Sequence, residues 1–380
     1  MDLFDPLGPG MLEDPYAVYA RLRSEDPVHW HALLGAWVVS TYRDCLAILK
    51  DSRAFSCDFR KIGETVPEEF LSIQTIDPPL HEALRRPLIV ALKRMGSAEW
   101  ASNTVATFEI IIRDVDQDGF DFIEFAERIS SITMCTFLGI PVPSDEEALR
   151  SAQRDLILSM DAGLAPERAS AGVQARAALS EMIRPWIESP PERGLIRHVD
   201  FDQGTEIRSH LVNSLRNFFV AGYSSVSSTL GNVTEVLLRH GLLSGSQKVD
   251  ISPVAFNELV RYGGAVQAVS RAVTDDTSLP SGRRLGKGDV VVAVLASANR
   301  DPTAFVSPDE IRLDRSPIRH LGFGQGAHAC TGAQLAVSLG VRVLDALTSK
   351  YLVLSAGPPV RRPSGTLRGL DLLPVRLIPR

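Results

Sequence analysis

The run FGQGAHACTG, from Phe323 to Gly332, limits what this chain can fold into more than any other part of the sequence. Gly324 and Gly326 allow left-handed or closely approached backbone within it. Apolar residues recur at helical spacing between Thr331 and Tyr351, so we expect a helix to begin at Cys330. A helix N-terminus lowers the pKa of a thiol, and the thiolate is the form that binds a metal. The run therefore indicates a metal-binding thiolate.

The cysteine content permits a second interpretation of this thiol. A single cysteine in a cytosolic chain is more often a small buried hydrophobe than a ligand. The four cysteines, at positions 45, 57, 135 and 330, show no CxxC or paired spacing. Neither a disulfide framework nor a zinc site is therefore indicated, and a reducing cytosol fits best. The glycines and the histidine around Cys330 favour the ligand over the buried hydrophobe.

The cysteine run, with its flanks, resembles a known family. F-G-x-G-x-H-x-C-x-G, preceded by His320-Leu321-Gly322 and followed by Ala333-Gln334-Leu335-Ala336, is similar to the haem-binding loop of the cytochrome P450 superfamily, in its soluble bacterial class. By that resemblance Cys330 is the axial thiolate ligand of haem b, iron protoporphyrin IX, and its electron donation favours O–O cleavage. The resemblance places further residues around the ring: Phe323 beside the sulfur, Gly324 and Gly326 where the loop approaches the porphyrin, Gly332 where the helix does, and His328 at a haem propionate.

Composition and charge exclude several classes of function. The chain has 380 residues and a net charge of -6, which gives no reason to expect a nucleic acid or an anionic membrane surface as partner. Residues 1–10 lack the basic and apolar regions of a signal peptide, and no stretch reaches the ~18 apolar residues of a membrane span. We therefore expect a cytoplasmic protein with no membrane partner. Because motifs spread along the chain must meet at one cofactor, 1–380 is expected to form a single haem-thiolate catalytic domain.

Periodicity predicts a mainly α chain with a minor β region. Four segments show helical spacing, namely 15–25, 144–160, 169–188 and 207–239. β-Branched or alternating runs predict strands at 36–41, at 290–295 and near 373–377. The family resemblance implies the cytochrome P450 fold, a single triangular-prism-like domain, which has this balance of elements.

Glu258 and Arg261 stand at a spacing that places both on one face of a helix. An isolated E-x-x-R pair is most often solvated and stabilises by roughly a few tenths of a kcal/mol. Beside the cysteine run it resembles the E-x-x-R pair of the family, which is structural and locks the region beneath the haem through a further arginine. Arg315 matches that third position.

The segment DPPLHEALRR, from Asp77 to Arg86, opens with a Pro-Pro turn and continues as a helix. His81 and Arg85 then lie at i and i+4 on one side, which alone is more often a solvated basic face than a ligand site. The segment resembles the D-P-P-x-H-x-x-x-R motif of bacterial family members, whose His and Arg bind the haem propionates. Arg271 matches a second propionate arginine, and with His328 these groups provide charge-assisted partners for two carboxylates.

The helix around Ala221 and Gly222 resembles the central helix of the family, with its A-G-x-[D/E]-T signature. In the family the small residues leave room for dioxygen, the threonine hydroxyl directs protons and the acid feeds the relay. By position, Ser225 stands for the threonine and Ser224 replaces the acid. Ser225 keeps a hydroxyl, whereas Ser224 cannot supply a carboxylate. A serine-rich helix is otherwise explained by hydroxyls that bond preceding carbonyls. We expect Ser225 to line the oxygen pocket.

The resemblance covers nearly the whole chain and implies a monooxygenase that oxidises a small organic substrate, in natural-product biosynthesis. Because no flavin or iron–sulfur domain fits in the remaining residues, electrons are expected from a separate ferredoxin-type donor with an NAD(P)H reductase. The missing acid leaves open an atypical oxidation, such as oxidative coupling or desaturation, with protons delivered by the substrate. A haem sensor or carrier without catalysis is the remaining alternative.

Substrate contacts are also inferred from the resemblance. They come from the loop 57–76, one face of the central helix, the stretch 265–269 and the turn 365–367. The residues proposed to line the substrate pocket are Phe218, Phe219, Val266, Val269 and Leu367.

Overall fold

The helices form most of the molecule. The structure is a computed structural model that describes residues 3–95, 98–202, 204–245 and 247–380. Its α-helices are α1 (Pro9–Glu13), α2 (Tyr16–Glu25), α3 (Tyr42–Lys50), α4 (Leu80–Met95), α5 (Ala98–Asp114), α6 (Phe122–Leu138), α7 (Glu146–Ser159), α8 (Ala169–Glu188), α9 (Thr205–Arg239), α10 (Pro253–Gly263), α11 (Leu295–Ala298) and α12 (Ala333–Lys350). None of the helices in the described ranges combines the length and apolar character needed to span a bilayer.

The β region is small and lies in short sheets. Its strands are β1 (Val28–His31), β2 (Ala36–Val39), β3 (Phe55–Ser56), β4 (Phe120–Asp121), β5 (Val269–Val273), β6 (Thr277–Ser278), β7 (Arg284–Leu285), β8 (Val290–Ala293), β9 (Tyr351–Ser355), β10 (Val360–Arg361), β11 (Leu370–Leu372) and β12 (Pro374–Pro379). One sheet has the order β1-β2-β8-β5-β3, in which β2 and β8 run parallel and the other pairs antiparallel. Another joins β4, β12 and β9.

The predicted elements are present, with shifted ends. The helices predicted at 15–25, 144–160, 169–188 and 207–239 correspond to α2, α7, α8 and α9, and the strands predicted at 36–41 and 290–295 end earlier, as β2 and β8. The helix expected from Cys330 begins only at Ala333, with Gly332 as its N-cap. The Cys330 N–H donates instead to the Phe323 carbonyl (2.8 Å), which closes the preceding loop.

Helix α9 is the central element of the described fold. It packs against α4, α6, α7, α8, α10 and α12, and most of its side chains are buried. Five positions that recur every three or four residues are only half-buried: Phe218, Ala221, Gly222, Ser225 and Thr229. This spacing defines one helical face. The stripe lies in the middle of α9, where the neighbouring positions of the helix are buried.

Candidate active site

The loop that carries Cys330 is shaped by glycines in left-handed conformations. Gly324 has a φ of 66° and Gly326 a φ of 75°. A Cβ on Gly326 would collide with the Leu49 carbonyl at the end of α3. Gly326 is therefore required by its close approach to α3, and the approach of the loop to the porphyrin stays a prediction.

The pKa of the Cys330 thiol is raised, so the prediction of a lowered pKa is wrong. The side chain is exposed beside the loop, but the surrounding protein removes water from the thiol and raises its pKa. The Gly332 N–H and the Arg85 charge act in the opposite direction without reversing this effect. Cys330 precedes the N-cap of α12, outside the first turn where the helix dipole acts. A metal deprotonates a coordinating thiol by itself, so ligation does not need the lowered pKa.

Glu258, Arg261 and Arg315 form a buried charge cluster on and beside α10. The Arg261 guanidinium donates to both Glu258 carboxylate oxygens at 2.7 and 2.8 Å, and Arg315 Nε lies 3.0 Å from each. The side chains of Glu258 and Arg261 are 0% exposed. The structure thus joins the three residues that the family resemblance grouped together. Because Glu258 and Arg261 are fully buried, the alternative of a solvated E-x-x-R pair does not apply to them.

This cluster supports the cysteine loop through Asn299. Arg261 Nη1 donates to the Asn299 carbonyl (2.8 Å), and Asn299 Oδ1 accepts from the Leu321 N–H (2.7 Å). Leu321 in turn accepts the Gly324 N–H (2.8 Å). A rigid buried cluster is therefore bonded, in two steps, to the start of the loop that holds Cys330.

His328 and Asp77 form a buried ion pair beside the cysteine loop. His328 Nε2 lies 2.9 Å from Asp77 Oδ1, and Asp77 also accepts from Lys61 Nζ (2.9 Å) and from Ser56. Burial disfavours the charged His328, but hydrogen bonds to Asp77 and Cys57 outweigh it and raise the pKa of His328 to about 9. His328 is therefore cationic at neutral pH.

His81 lies against His328 but remains neutral. The ring centroids are 4.5 Å apart, and His81 is 2% exposed. Burial, together with the positive charges of His328 and Arg85, lowers the pKa of His81 to about 4. His81 Nε2 and His328 Nδ1 are both buried and have no hydrogen-bond partner in the described residues. Unpaired buried polar atoms are costly, so these two atoms mark a place where an acceptor group fits.

The two arginines expected at the propionates lie near the same place. Arg85 Nη1 donates to Thr331 Oγ1 (2.9 Å) and to the Ala329 carbonyl (3.3 Å), which ties α4 to the cysteine loop. Arg271 on β5 donates to the Ser270 carbonyl (2.8 Å), and its charge opposes protonation of His328. Each guanidinium has five N–H donors, so both keep donors for a further ligand.

These observations fit haem b. The unpaired His81 and His328 atoms suit a propionate, and both imidazoles lie with Arg85 beside the loop of Cys330. A Cβ on Gly332 would stand 4.0 Å from Cys330 Sγ, so the glycine keeps the space beside the thiol open. Phe323 packs beside this loop, with its ring 5.3 Å from that of His320.

Ser225 and Gly222, which the sequence places on the oxygen side, make contacts that their expected role there did not predict. Ser225 Oγ donates to the Ala221 carbonyl (2.6 Å), the back-bonding that was the alternative explanation for a serine-rich helix. Ser225 nevertheless lies in the half-buried stripe. A Cβ on Gly222 would collide with the Met134 side chain of α6. Close packing against α6 accounts for a small residue here, and the role of Gly222 in leaving room for dioxygen stays a prediction.

Ser224 is directed away from the stripe. It is 1% exposed, and its Oγ donates to Gln153 Oε1 of α7 at 2.8 Å. Gln153 lines a small cavity of about 90 Å³ together with Glu127 and Arg150. Burial raises the pKa of Glu127. Ser224, which stands where the family signature has an acid, therefore links α9 to α7 through the Gln153 side-chain amide.

The substrate-pocket residues divide into two groups. Phe218 belongs to the half-buried stripe, but Phe219 is 0% exposed and packs in the main core with Tyr223, so its assignment to the pocket is wrong. The neighbouring positions of a helix point in different directions, and the resemblance did not separate them. Val266 and Leu367 pair across an isolated antiparallel bridge, while Val269 lies in β5.

Sequence reasoning did not identify several residues that position the site. Asp77 holds His328, Thr331 holds Arg85, and Asn299 links the buried cluster to the loop. Asp77 and Thr331 stand inside the two motifs quoted above, 77–86 and 323–332, and that position was the available signal. Cys57 is distant in sequence, yet its sulfur and the nearest ligand atoms of Asp77 and His328 lie within 4.8 Å of one another.

Comparison with known proteins identifies the family. The Cytochrome P450 family model matches residues 246–340. Cytochrome P450 monooxygenase PikC of Streptomyces venezuelae is 30% identical over 97% of this chain and 92% of its own length. The 6-deoxyerythronolide B hydroxylase of Saccharopolyspora erythraea is 30% identical over 96% of each chain. Among solved structures, CalO2 has a TM-score of 0.85 at 26% identity, over 99% of both chains.

The fold and these relatives define a haem-thiolate monooxygenase that binds haem b through a cysteine thiolate. The chain belongs to the cytochrome P450 family. The expected fold class is confirmed by the solved structures, and the expected enzyme class by the relatives.

Proposed function

We propose that Cys330 is the thiolate ligand of the haem iron. The observation that carries this proposal is the exposure of Cys330 beside the unpaired imidazoles of His81 and His328, in the loop that buried Glu258 and Arg261 hold in place. The other described cysteines, at 45, 57 and 135, are buried. When bound, haem supplies dioxygen activation, and the thiolate supplies the electron density that favours O–O cleavage.

The chain's own residues bind and orient the cofactor. His328, held cationic by Asp77, donates from Nδ1 to one propionate, and His81 donates from Nε2. Arg85 and Arg271 add charge-assisted bonds, which are the stronger kind. Burial of both imidazoles keeps water from competing for these contacts.

On the oxygen side, the Ser225 hydroxyl holds the proton that is delivered to the pocket. This hydroxyl donates to the Ala221 carbonyl and lies in the half-buried stripe of α9. A rotation of this hydroxyl moves the proton from the carbonyl toward the pocket. Ala221 contributes a small side chain on the same face. Ser224 has a supporting role, because its hydroxyl ties α9 to Gln153 of α7.

The substrate is a small organic molecule of natural-product biosynthesis, and Phe218, Val266 and Val269 contact it. Leu367 is buried and pairs with Val266, so it supports that side of the pocket from behind. Two relatives support this class by their names, the 6-deoxyerythronolide B hydroxylase, which names a small organic substrate, and the polyketide biosynthesis cytochrome P450 PksS of Bacillus subtilis. These names describe those relatives, and by similarity we propose the same class of substrate for this chain.

Electrons come from a separate ferredoxin-type protein and its NAD(P)H reductase. Helix α4 exposes three basic residues, Arg86, Lys93 and Arg94, around Val90, which is 37% exposed. Arg85 of the same helix bonds the cysteine loop, so the basic residues belong to a helix that is joined to the loop of the proposed iron ligand. An acidic electron carrier is complementary to such a face.

The absorption spectrum of the reduced carbon monoxide complex tests the ligand. The wild type should show the strongly red-shifted Soret band of a thiolate-ligated haem, and Cys330→Ala should lose it. Cys45→Ala is the matched control, because Cys45 is 0% exposed and should leave the band in place. An imidazole-type band in the wild type would contradict the assignment. Turnover with ferredoxin, reductase and NAD(P)H then tests catalysis.

An atypical oxidation is the second candidate reaction. The observation that favours it is the Ser224 hydroxyl, which is bonded to Gln153 and offers no carboxylate to a proton relay. Oxidative coupling or desaturation, with protons delivered by substrate groups, would not need that relay. Identifying the product by mass spectrometry separates these reactions, because hydroxylation adds an oxygen atom and the other two do not.

A further inference from the structure

Asp161 is a buried carboxylate that bonds a turn distant in sequence. It lies just after α7, and its side chain is 1% exposed. Its Oδ2 accepts from the Gly365 N–H (3.1 Å), and its Oδ1 accepts from the Thr366 N–H (2.9 Å). Hydrogen bonds to a charged group are stronger than those between neutral groups. Asp161 therefore fixes two successive residues of the turn.

Arg168 bonds the same turn from the other end of the connection between α7 and α8. Its Nη1 donates to the Pro363 carbonyl (2.9 Å) and lies 3.8 Å from Asp161 Oδ2. Arg168 is the N-cap residue of α8. The connection is therefore bonded to the stretch 363–366 at both of its ends. The positive charge of Arg168 also offsets part of the cost of burying the Asp161 carboxylate.

The turn is joined to the other stretch that is proposed to contact the substrate. Two backbone hydrogen bonds, of 2.9 and 2.8 Å, link the stretch 366–368 to the stretch 265–267. Between these bonds, Val266 and Leu367 form the isolated antiparallel bridge. Ile157 of α7 packs in the same small apolar cluster as Leu367. A shift of the turn therefore displaces both stretches together.

We propose that Asp161 is a positioning residue that determines which substrates the pocket accepts. Because its side chain is buried, it acts by fixing the wall of the pocket formed by 265–269 and 365–367. The inference rests on the proposed function, which assigns those two stretches to substrate contact. A carboxylate suits this task because its two oxygens accept two adjacent N–H groups at once. An asparagine of the same shape has one oxygen and turns an amide donor toward the second N–H group, so one bond is lost.

Binding of azoles to the ferric, haem-loaded enzyme tests the proposal. The probes are imidazole, 4-phenylimidazole and 4-(biphenyl-4-yl)imidazole, which coordinate iron through the same type of nitrogen and differ in the apolar group that the pocket must hold. The shift of the Soret band gives each dissociation constant. Asp161→Asn should weaken the two larger azoles by about tenfold, or about 1.4 kcal/mol, because the displaced wall loses contact with their rings. Imidazole is too small to reach this wall, so its affinity should change by less than about twofold.

Two matched variants separate positioning from a general loss of stability. Asp121→Ala also removes a carboxylate that accepts two backbone N–H groups, those of Ile123 and Leu373 at 2.9 Å each, but outside the proposed pocket wall. It should leave the ratio of the azole affinities unchanged, whereas Asp161→Ala should change it. Glu167→Gln alters an exposed residue of the α7–α8 connection and should have no effect. An Asp161→Asn variant that weakens all three azoles equally, or none of them, would overturn the proposal.

Hydrogen exchange gives a readout that does not involve the haem. The amides of 363–368 and 265–267 should exchange about tenfold faster in Asp161→Asn than in the wild type, while those of α10 keep their rates. Unchanged exchange in both stretches would also overturn the proposal. If Asp161→Asn does not fold, Arg168→Gln removes the bond to the Pro363 carbonyl and should change the azole ratio in the same direction.

A variant of the pocket wall distinguishes this inference from the proposed function. Val266→Ala should weaken the larger azoles if the stretch 265–269 contacts the substrate. A change in Val266→Ala without a change in Asp161→Asn would overturn the positioning role alone. No change in either variant, or a wild type without the thiolate spectrum, would instead contradict the proposed function.

Discussion

His81 and His328 lie with their ring centroids 4.5 Å apart, and their pKa values are shifted in opposite directions, to about 4 and about 9. The difference arises because only His328 has a carboxylate partner, Asp77, at 2.9 Å. A neutral and a cationic imidazole therefore lie side by side without repulsion. Each keeps one buried ring nitrogen free for the same incoming ligand.

Removal of either imidazole should weaken haem binding. We expect His81→Phe and His328→Asn to release haem to an acceptor protein about 10- to 100-fold faster, because each loses a hydrogen bond to a charged group worth about 1.5–3 kcal/mol. The rate of haem transfer, followed by the Soret band, measures this. His240→Asn is the control, since His240 is exposed and contacts Tyr262 instead. Unchanged transfer rates in both variants would refute the propionate assignment.

The two serines of α9 should affect turnover differently. Ser225→Ala removes the hydroxyl in the half-buried stripe, so the ratio of product to NAD(P)H consumed should fall severalfold if Ser225 holds the transferred proton. Ser224→Ala removes a hydroxyl bonded to Gln153 and should cost about 1 kcal/mol of stability while that ratio stays near the wild-type value. A Ser225→Ala variant that remains fully coupled would favour the atypical oxidation.

Gly222 and Met134 should behave as a coupled pair. Gly222→Ala places a methyl group against the flexible end of the Met134 side chain, so it should lower the free energy of unfolding by less than about 1 kcal/mol, because the thioether shifts and alanine has the higher helix propensity. Met134→Ala in the same chain relieves the collision, so the double variant should be more stable than the sum of the single effects predicts. Thermal or denaturant unfolding of all four proteins gives the coupling energy. Additive effects would mean that the helices move apart instead.

The motifs predicted where the cofactor binds because haem chemistry depends on residue type at fixed spacing. Cys330, His81 and Arg85 are recognisable in sequence, since a thiolate ligand and propionate donors require those side chains. The loop of Cys330 and the segment of His81 are far apart in the chain, but both had signatures of their own. Their convergence was therefore expected, and the bond from Arg85 to Thr331 joins them.

Two kinds of property could not be predicted from the sequence: the direction in which a side chain points and the environment that surrounds it in the folded protein. Phe218 and Phe219 are adjacent and alike, yet one is half-buried and the other is core, because a helix turns about 100° per residue. The pKa of Cys330 depends on how much water the folded protein excludes, which spacing does not report.

Glu258 makes a stability contribution with a predictable pH dependence. Burial alone would raise the pKa of this carboxyl, but hydrogen bonds from Arg261, the Arg312 N–H and Arg315 outweigh it and lower the pKa below the ordinary 4.5. A group whose pKa is depressed in the folded state stabilises the protein above its unfolded pKa. That contribution is lost as the pH falls through the folded-state value.

Glu258→Gln should therefore lower the free energy of unfolding by about 3–5 kcal/mol at neutral pH, because two arginines remain buried without their carboxylate. The gap between variant and wild type should narrow as the pH falls below about 4.5. Glu181→Gln is the matched control, since Glu181 forms an i, i+3 pair with Arg184 at 2.8 Å whose side chains are 65% and 55% exposed. It should change stability by less than about 0.5 kcal/mol at any pH. Denaturant unfolding across this pH range measures both, and equal effects of the two variants would mean that burial of the Glu258 cluster adds nothing to stability.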